Sequence, residues 1–231
     1  MAQHDWPRFL PLGDAALLIE FGDGIDEAIN RRVRSLAALL AQESLDGLGE
    51  AVPTYRSLLV HYDPLRLDYA AIERWVWERT NRAETFPLPP PRRVEMPTVY
   101  GGAFGPDIEF VAAHNGLSVQ DVIRIHSGST YPVFMLGFTP GFPYLGGLDA
   151  AIAAPRLDTP RTHVPAGSVG IAGQQTGIYP IDSPGGWRII GRTPLKLFDP
   201  YRSPPTLLAA GDCVHFVPVS EEEFERLSAS A

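Results

Sequence analysis

One cysteine, Cys213, stands in 231 residues. That scarcity excludes an internal disulfide framework and suits a reducing cytosol. No apolar run approaches the roughly 20 residues that cross a bilayer. The first residues, Met-Ala-Gln-His-Asp-Trp, lack the basic and apolar regions of a signal peptide. Positive charge is also scarce, since 19 Lys and Arg against 27 Asp and Glu leave a formal charge of −8. A nucleic acid or an anionic membrane needs a basic face. The tight basic pairs, Arg31-Arg32 and Arg92-Arg93, fall on a predicted helix and at a linker edge. Composition therefore predicts a cytoplasmic protein that binds neither nucleic acid nor membrane.

Familiar catalytic signatures are missing as well. No Gly-x-x-x-x-Gly-Lys-Ser/Thr loop is present, and Gly167, Gly170, Gly173 and Gly177 are not spaced as a dinucleotide fingerprint. Turn and bulge geometry in a tight barrel explains those glycines better than phosphate contact does. Ser168, in Ala-Gly-Ser-Val-Gly, lacks the Gly-x-Ser-x-Gly spacing of a nucleophile elbow. Cys213 sits in a strand-like segment, where a small buried hydrophobe is its simplest role. The histidines His4, His61, His114, His126, His163 and His215 show no paired spacing, so a metal site has little footing, and only one assembled from distant histidines stays open.

What is present divides into two styles. Asp14 to Phe21 and Tyr55 to Tyr62 read as strands, and Asp23 or Asp26 caps a helix striped by Ile29, Val33, Leu36 and Leu40. A second helix begins near Asp68, with Tyr69, Ile72, Trp75 and Val76 along one stripe. This alternation predicts an α+β domain over 1–85, ferredoxin-like in architecture. Residues 86–93, Phe-Pro-Leu-Pro-Pro-Pro-Arg-Arg, form a semi-rigid spacer. Over 94–231 a strand from Val94 leads to short helices at 108–114 and from Ser118, where Ser118 and Asp121 suggest a capping box. From about Tyr131 only short strands and turns are expected, as in a mainly β barrel.

The densest signal is Tyr131 to Gly147, where an apolar segment runs into alternating Gly, Pro and aromatic residues. Gly and Pro fix the backbone beside Phe138, Phe142 and Tyr144, which specifies a rigid, aromatic-walled turn. Phe138, Thr139, Pro140, Phe142, Tyr144, Gln174, Thr176, Tyr179, Trp187 and Arg192 are the candidate pocket residues. Core packing is the alternative for Phe138, and an interface anchor is the alternative for Trp187. Gln174, Gln175, Thr176 and Tyr179 either orient an amide, lactam or carboxylate, or satisfy backbone groups in a kinked barrel. Arg161 and Arg192 are cations suited to a carboxylate, though either could be a solvated rim charge. His126, ending a helix just before the aromatic segment, is the candidate acid–base residue. The competing reading is a histidine favoured by the helix C-terminus.

Gly137-Phe-Thr-Pro-Gly-Phe-Pro-Tyr-Leu145, Pro165-Ala-Gly-Ser-Val-Gly-Ile171, Gln175-Thr-Gly-Ile-Tyr-Pro180 and Pro184-Gly-Gly-Trp187 together are long and specific. They resemble the family that holds the B component of 5-oxoprolinase, allophanate hydrolase subunit 1 and the KipI-type inhibitors of a sporulation kinase. Weaker matches at Val52 to Val60 and Gly191 to Leu195 extend the resemblance across nearly the whole chain. The resemblance implies a cyclophilin-like second domain and a histidine at the place of His126. It implies one component of an ATP-dependent 5-oxoprolinase that opens 5-oxo-L-proline to L-glutamate, inactive alone. The partners would be a larger, carboxyltransferase-like protein of the C type and a protein of the A type. This chain would bind no cofactor or metal by itself, and ATP would lie on a partner. The family leaves two alternatives, a KipI-like inhibitor of a histidine kinase and a carboxyltransferase part of a urea carboxylase-type system.

Overall fold

A computed structural model describes residues 6–229. The chain divides into two compact units, the first ending at Pro90 and the second beginning at Pro91.

The first unit contains β1 (Arg8–Pro11), β2 (Ala16–Glu20), α1 (Glu27–Leu40), β3 (Leu48–Pro53), β4 (Ser57–Tyr62) and α2 (Tyr69–Ala83). Asp26 starts α1 by accepting from the backbone N–H groups of Ala28 and Ile29, and Asp68 does the same for α2 through Ala71. The expected stripes turn inward: Val33, Leu36, Leu40, Ile72 and Val76 are buried, with Ile29, Tyr69 and Trp75 packed beside them. The strands form one antiparallel sheet in the order β1-β2-β4-β3. An α/β sandwich is thus present, but its chain order ββαββα differs from the βαββαβ order of a ferredoxin-like domain. The strand flanking β2 is β1, from the N-terminal side, a short segment ending in Pro11 that carries little strand signal.

The second unit contains β5 (Arg93–Tyr100), α3 (Ile108–His114), α4 (Val119–Gly128), β6 (Tyr131–Leu136), β7 (Pro143–Leu145), β8 (Arg161–Val164), β9 (Ser168–Ala172), β10 (Gln175–Ile178), β11 (Ser183–Gly185), β12 (Arg188–Arg192), β13 (Cys213–Pro218) and α5 (Glu221–Ser228). Seven of these strands close into a barrel in the order β10-β7-β6-β13-β5-β12-β9, while β8 and β11 pair separately. Most neighbours in the barrel are antiparallel, but β5 and β13 run parallel over six residue pairs. Ser118 and Asp121 make the full reciprocal capping box at the start of α4.

The expectation of only strands and turns after Tyr131 is corrected by α5 and by a 3₁₀ turn at Ala150–Ile152. The signal for α5 lies in the sequence: Ser220 caps it, and Glu221, Glu222 and Glu223 suit the positive end of its dipole. The barrel core is filled by Met96, Tyr131, Val169, Ile171, Ile178, Ile190, Val214 and Phe216, all buried. A smaller cluster of Phe142, Val164, Tyr179 and Ile189 forms a second apolar centre, with Tyr144 and Trp187 against it.

Candidate functional site

The connection between β6 and β7 consists of two consecutive turns. Thr139 N–H donates to the Gly137 carbonyl at 2.8 Å, which closes a three-residue turn over Phe138. Phe138 has φ of 66°, and it is the one non-glycine residue with positive φ among the described residues. A turn of this hand is rare and strained. Phe142 N–H then donates to the Thr139 carbonyl at 3.0 Å around Pro140 and Gly141. Gly141, at φ of 81°, takes the left-handed position of a type II turn, and Pro140 fixes the residue before it. The sequence expectation of a rigid aromatic turn therefore has a specific backbone basis. The ring of Phe138 is 73% exposed, so core packing is not its role.

Phe142 is the hub of the aromatic group. Its ring centroid lies 5.8 Å from Phe138, 5.4 Å from Tyr144, 5.7 Å from Tyr179 and 5.6 Å from Trp187, all edge-on. Edge-to-face packing satisfies the ring quadrupoles and fixes each ring against the others. The glycines supply the space. Gly170 and Gly177 face each other across β9 and β10. A Cβ on Gly177 would stand 3.1 Å from both Phe142 and Trp187, and one on Gly170 would stand 3.1 Å from Trp187. A Cβ on Gly185 would overlap the Tyr179 ring and hydroxyl. These residues are glycine because aromatic rings occupy the volume where side chains would be.

The rings wall a cleft of about 370 Å³ whose lining includes Phe138, Phe142, Tyr144, Arg156, Gln175, Tyr179 and Trp187. Pro160, Pro184 and Gly186 complete its rim. The volume falls within the range of small-molecule pockets, ~300–1,000 Å³. Arg156 is the one charged residue of this lining, and no carboxylate joins it. Burial raises the Tyr179 phenol, while a backbone hydrogen bond from Trp187 and the positive charges of Arg156 and Arg161 pull the other way. The cleft is therefore an apolar box with an amide, phenols and one guanidinium.

Phe138, Phe142, Tyr144, Tyr179 and Trp187 are brought together as expected. Thr139 and Pro140 shape the turn rather than the wall, and the Thr139 hydroxyl oxygen is buried with no hydrogen-bond partner among the described residues. Gln174 points elsewhere: it occupies the exposed two-residue turn with Gly173 between β9 and β10, and Gln175 lines the cleft instead. Thr176 is fully buried and bonded to His126 and to Gly170. Arg192 lies in a separate depression of about 300 Å³ with Lys196 and Phe224, and its Nε donates to the Ala166 carbonyl at 2.8 Å. Arg161 is committed internally, since its Nη2 meets Asp107 Oδ1 at 2.8 Å. Asp107 in turn accepts from Ile189 N–H through Oδ2 at 2.7 Å, next but one to Trp187. Arg161 thus braces the wall of the cleft instead of reaching into it.

His126 departs furthest from expectation. It lies on α4 with no exposed surface, packed against Tyr131 and Phe216 at centroid distances of 5.3 and 4.4 Å. Nδ1 lies 2.8 Å from the Tyr100 hydroxyl, and Nε2 lies 2.9 Å from Thr176 Oγ1. The Thr176 hydroxyl donates its proton to the Gly170 carbonyl at 3.1 Å. The imidazole must therefore donate from Nε2, which leaves Nδ1 to accept from Tyr100. Burial pushes the imidazole pKa down to about 3. A neutral, enclosed imidazole with both nitrogens engaged does not face the cleft. It ties α4 to β10, one residue from Gln175.

Arg156 and Asp107 were missed from the sequence. The signal for Arg156 was faint: one cation between prolines in Pro155-Arg-Leu-Asp-Thr-Pro160. Among the described residues, no group of three or more His, Cys, Asp or Glu could hold a metal ion, and no helix is long and apolar enough to cross a membrane.

Residues 7–208 match the carboxyltransferase domain, subdomain C and D, and the chain belongs to that family. It is 48% identical to the 5-oxoprolinase B component of Bacillus subtilis (strain 168), over 92% of this chain and 93% of that protein. It is 45% identical to the 5-oxoprolinase B component of Escherichia coli O157:H7, over 91% of this chain and 95% of that protein. The fold is shared with the crystal structure of the K. lactis urea amidolyase at a TM-score of 0.75 and 23% identity, over 94% of this chain and 15% of that one.

Proposed function

We propose that this chain is the B-type component of an ATP-dependent 5-oxoprolinase, which opens 5-oxo-L-proline to L-glutamate. The observation that carries the reading is the aromatic cleft, sized for a small ring and holding an amide beside one cation. The near full-length similarity to two proteins named as the B component of 5-oxoprolinase supports it. The name of those relatives points to an enzyme of several chains. A larger, carboxyltransferase-like protein of the C type and a protein of the A type complete the site, and the complex works in the cytoplasm. ATP binds on a partner, a reading supported by the lack of a phosphate-binding loop in this sequence.

Amide resonance makes a lactam a poor electrophile. Transfer of a phosphoryl group from ATP to the lactam oxygen leaves ADP and an activated ring carbon. Water attacks that carbon and the ring C–N bond breaks, with the nitrogen leaving as the amine. A second water then splits the resulting acyl phosphate into the glutamate carboxylate and phosphate. The part of this chain is binding and exclusion of water. The rings of Phe142, Tyr144 and Trp187 flank the flat ring, and the Gln175 side chain orients the lactam amide. His126 holds β10, and so Gln175, in place; proton transfer to substrate comes from elsewhere in the complex.

The test is reconstitution of the complex with and without this chain, assayed for 5-oxoproline-dependent ADP and glutamate. Equal turnover without the chain would sink the proposal. Stoichiometric capture of a histidine kinase without turnover would favour an inhibitor, and carboxylation of a urea-like substrate would favour the carboxyltransferase variant.

A further inference from the structure

We infer that Arg156 is the carboxylate-binding, specificity-determining residue of the cleft. The inference deepens the 5-oxoprolinase reading and rests on it for the identity of the ligand. It begins from charge. In a protein of formal charge −8, the cleft lining contains one charged side chain, and that side chain is a cation. An anion is the complementary occupant.

The other arginines near the cleft are committed. Arg161 pairs with Asp107, Arg192 donates to the Ala166 carbonyl in another depression, and Arg188 stacks over Phe110 while donating to Pro155. Arg156 has no ion pair or hydrogen bond to any described residue, and it borders Tyr179 and Trp187 in the lining. Its field reaches the interior, since its charge stabilises the ionised form of the Tyr179 phenol.

A guanidinium beside apolar walls meets a carboxylate in the geometry it binds best, two parallel N–H donors to two oxygens. The aromatic rings shield one side of such a pair from water, which strengthens it relative to one in open solvent. A cyclic amide carrying a carboxylate on the ring therefore fits with the ring on Phe142 and Trp187 and the carboxylate on Arg156. An uncharged lactam of the same shape lacks the second contact. Arg156 selects the acid, and Gln175 serves the amide.

The experiment uses the complete complex, with Arg156→Gln and Arg156→Lys, and two probes: 5-oxo-L-proline and its carboxamide. Affinity is measured without ATP by calorimetry or saturation-transfer NMR, and turnover is measured with ATP. Wild type is expected to bind the acid ~10- to 100-fold more tightly than the amide, the range of one charge-assisted hydrogen-bonded contact. Arg156→Gln removes that preference and leaves amide affinity unchanged, while Arg156→Lys restores part of it. In turnover, KM for the acid rises and kcat holds. Arg156 is exposed, so both variants keep the wild-type melting temperature.

The inference is overturned if wild type binds acid and amide alike or binds neither. It is also overturned if Arg156→Gln keeps the preference or weakens both ligands equally. A wild-type complex that prefers the acid but never opens it refutes the 5-oxoprolinase reading and leaves the carboxylate site standing.

Discussion

Tyr100 and His126 share a partly buried hydrogen bond of 2.8 Å in which the phenol donates and the imidazole accepts. Protonating the imidazole would make the phenol give up its donation and turn to accept, in a pocket that already disfavours charge. The unfolded chain takes up this proton near 6.5, whereas the folded chain holds out to about 3. Unfolding therefore binds a proton between those values, so the neutral histidine contributes stability that is full above about pH 6.5 and fades as pH falls toward 3. The loss is at most about 5 kcal/mol, set by the gap between 6.5 and about 3. Denaturant titrations down this range should show the decline. Imidazole nitrogen spectra should show the Nε2–H tautomer alone at about pH 5. A doubly protonated ring there would contradict the assignment.

Gly185→Ala should damage the cleft, because the added methyl overlaps the Tyr179 ring. The expected cost is ~1–3 kcal/mol of stability, with tryptophan emission altered through Trp187. Gly186→Ala is the matched control, since its nearest neighbour would be Pro160 at an ordinary 3.5 Å. Equal melting temperatures for the two variants would show that the ring packing tolerates displacement.

Phe138→Gly separates strain from use. The side chain is 73% exposed and packs little, while its φ of 66° is one that glycine adopts freely. Stability is expected to hold within ~1 kcal/mol or to rise. Turnover by the reconstituted complex should fall. A variant that loses stability yet keeps full activity would mean that the ring serves packing alone.

Arg161→Gln tests the bracing role of the ion pair with Asp107. The carboxylate of Asp107 is nearly buried and would lose its cationic partner while still bonded to Ile189 N–H. A loss of ~2 kcal/mol in chemical denaturation is expected. Acid-over-amide preference should persist, in contrast to Arg156→Gln. Loss of the preference without loss of stability would make Arg161 the anchor.

Local rules made part of this structure legible in the sequence. Asp26, Asp68 and Ser118 announce helix starts through their own side chains, and Pro140-Gly141 announces its turn through backbone restriction. The aromatic residues of the cleft were readable for the same reason, being flanked by such turns. Arg156 was not readable, because the cleft joins the β6–β7 turn, the segment before β8, and strands β10 and β11, and only tertiary folding sets their spacing. Gln174 and Gln175 differ by one residue across a turn boundary. The hairpin register decides which of them meets the cleft, and a propensity argument cannot supply a register. His126 misled for a related reason: helix periodicity places a side chain on a face but does not say whether that face meets solvent or core.

The parallel pairing of β5 with β13 has a consequence for synthesis. The strand that opens the barrel unit is joined edge to edge with the one that is translated last among its strands. A nascent chain can complete the sheet of the first unit as soon as α2 leaves the ribosome, whereas the barrel stays unsealed until Pro218 emerges. During that interval the edges of β5 and β6 are open to other polypeptides, and the cell has reason to shield them.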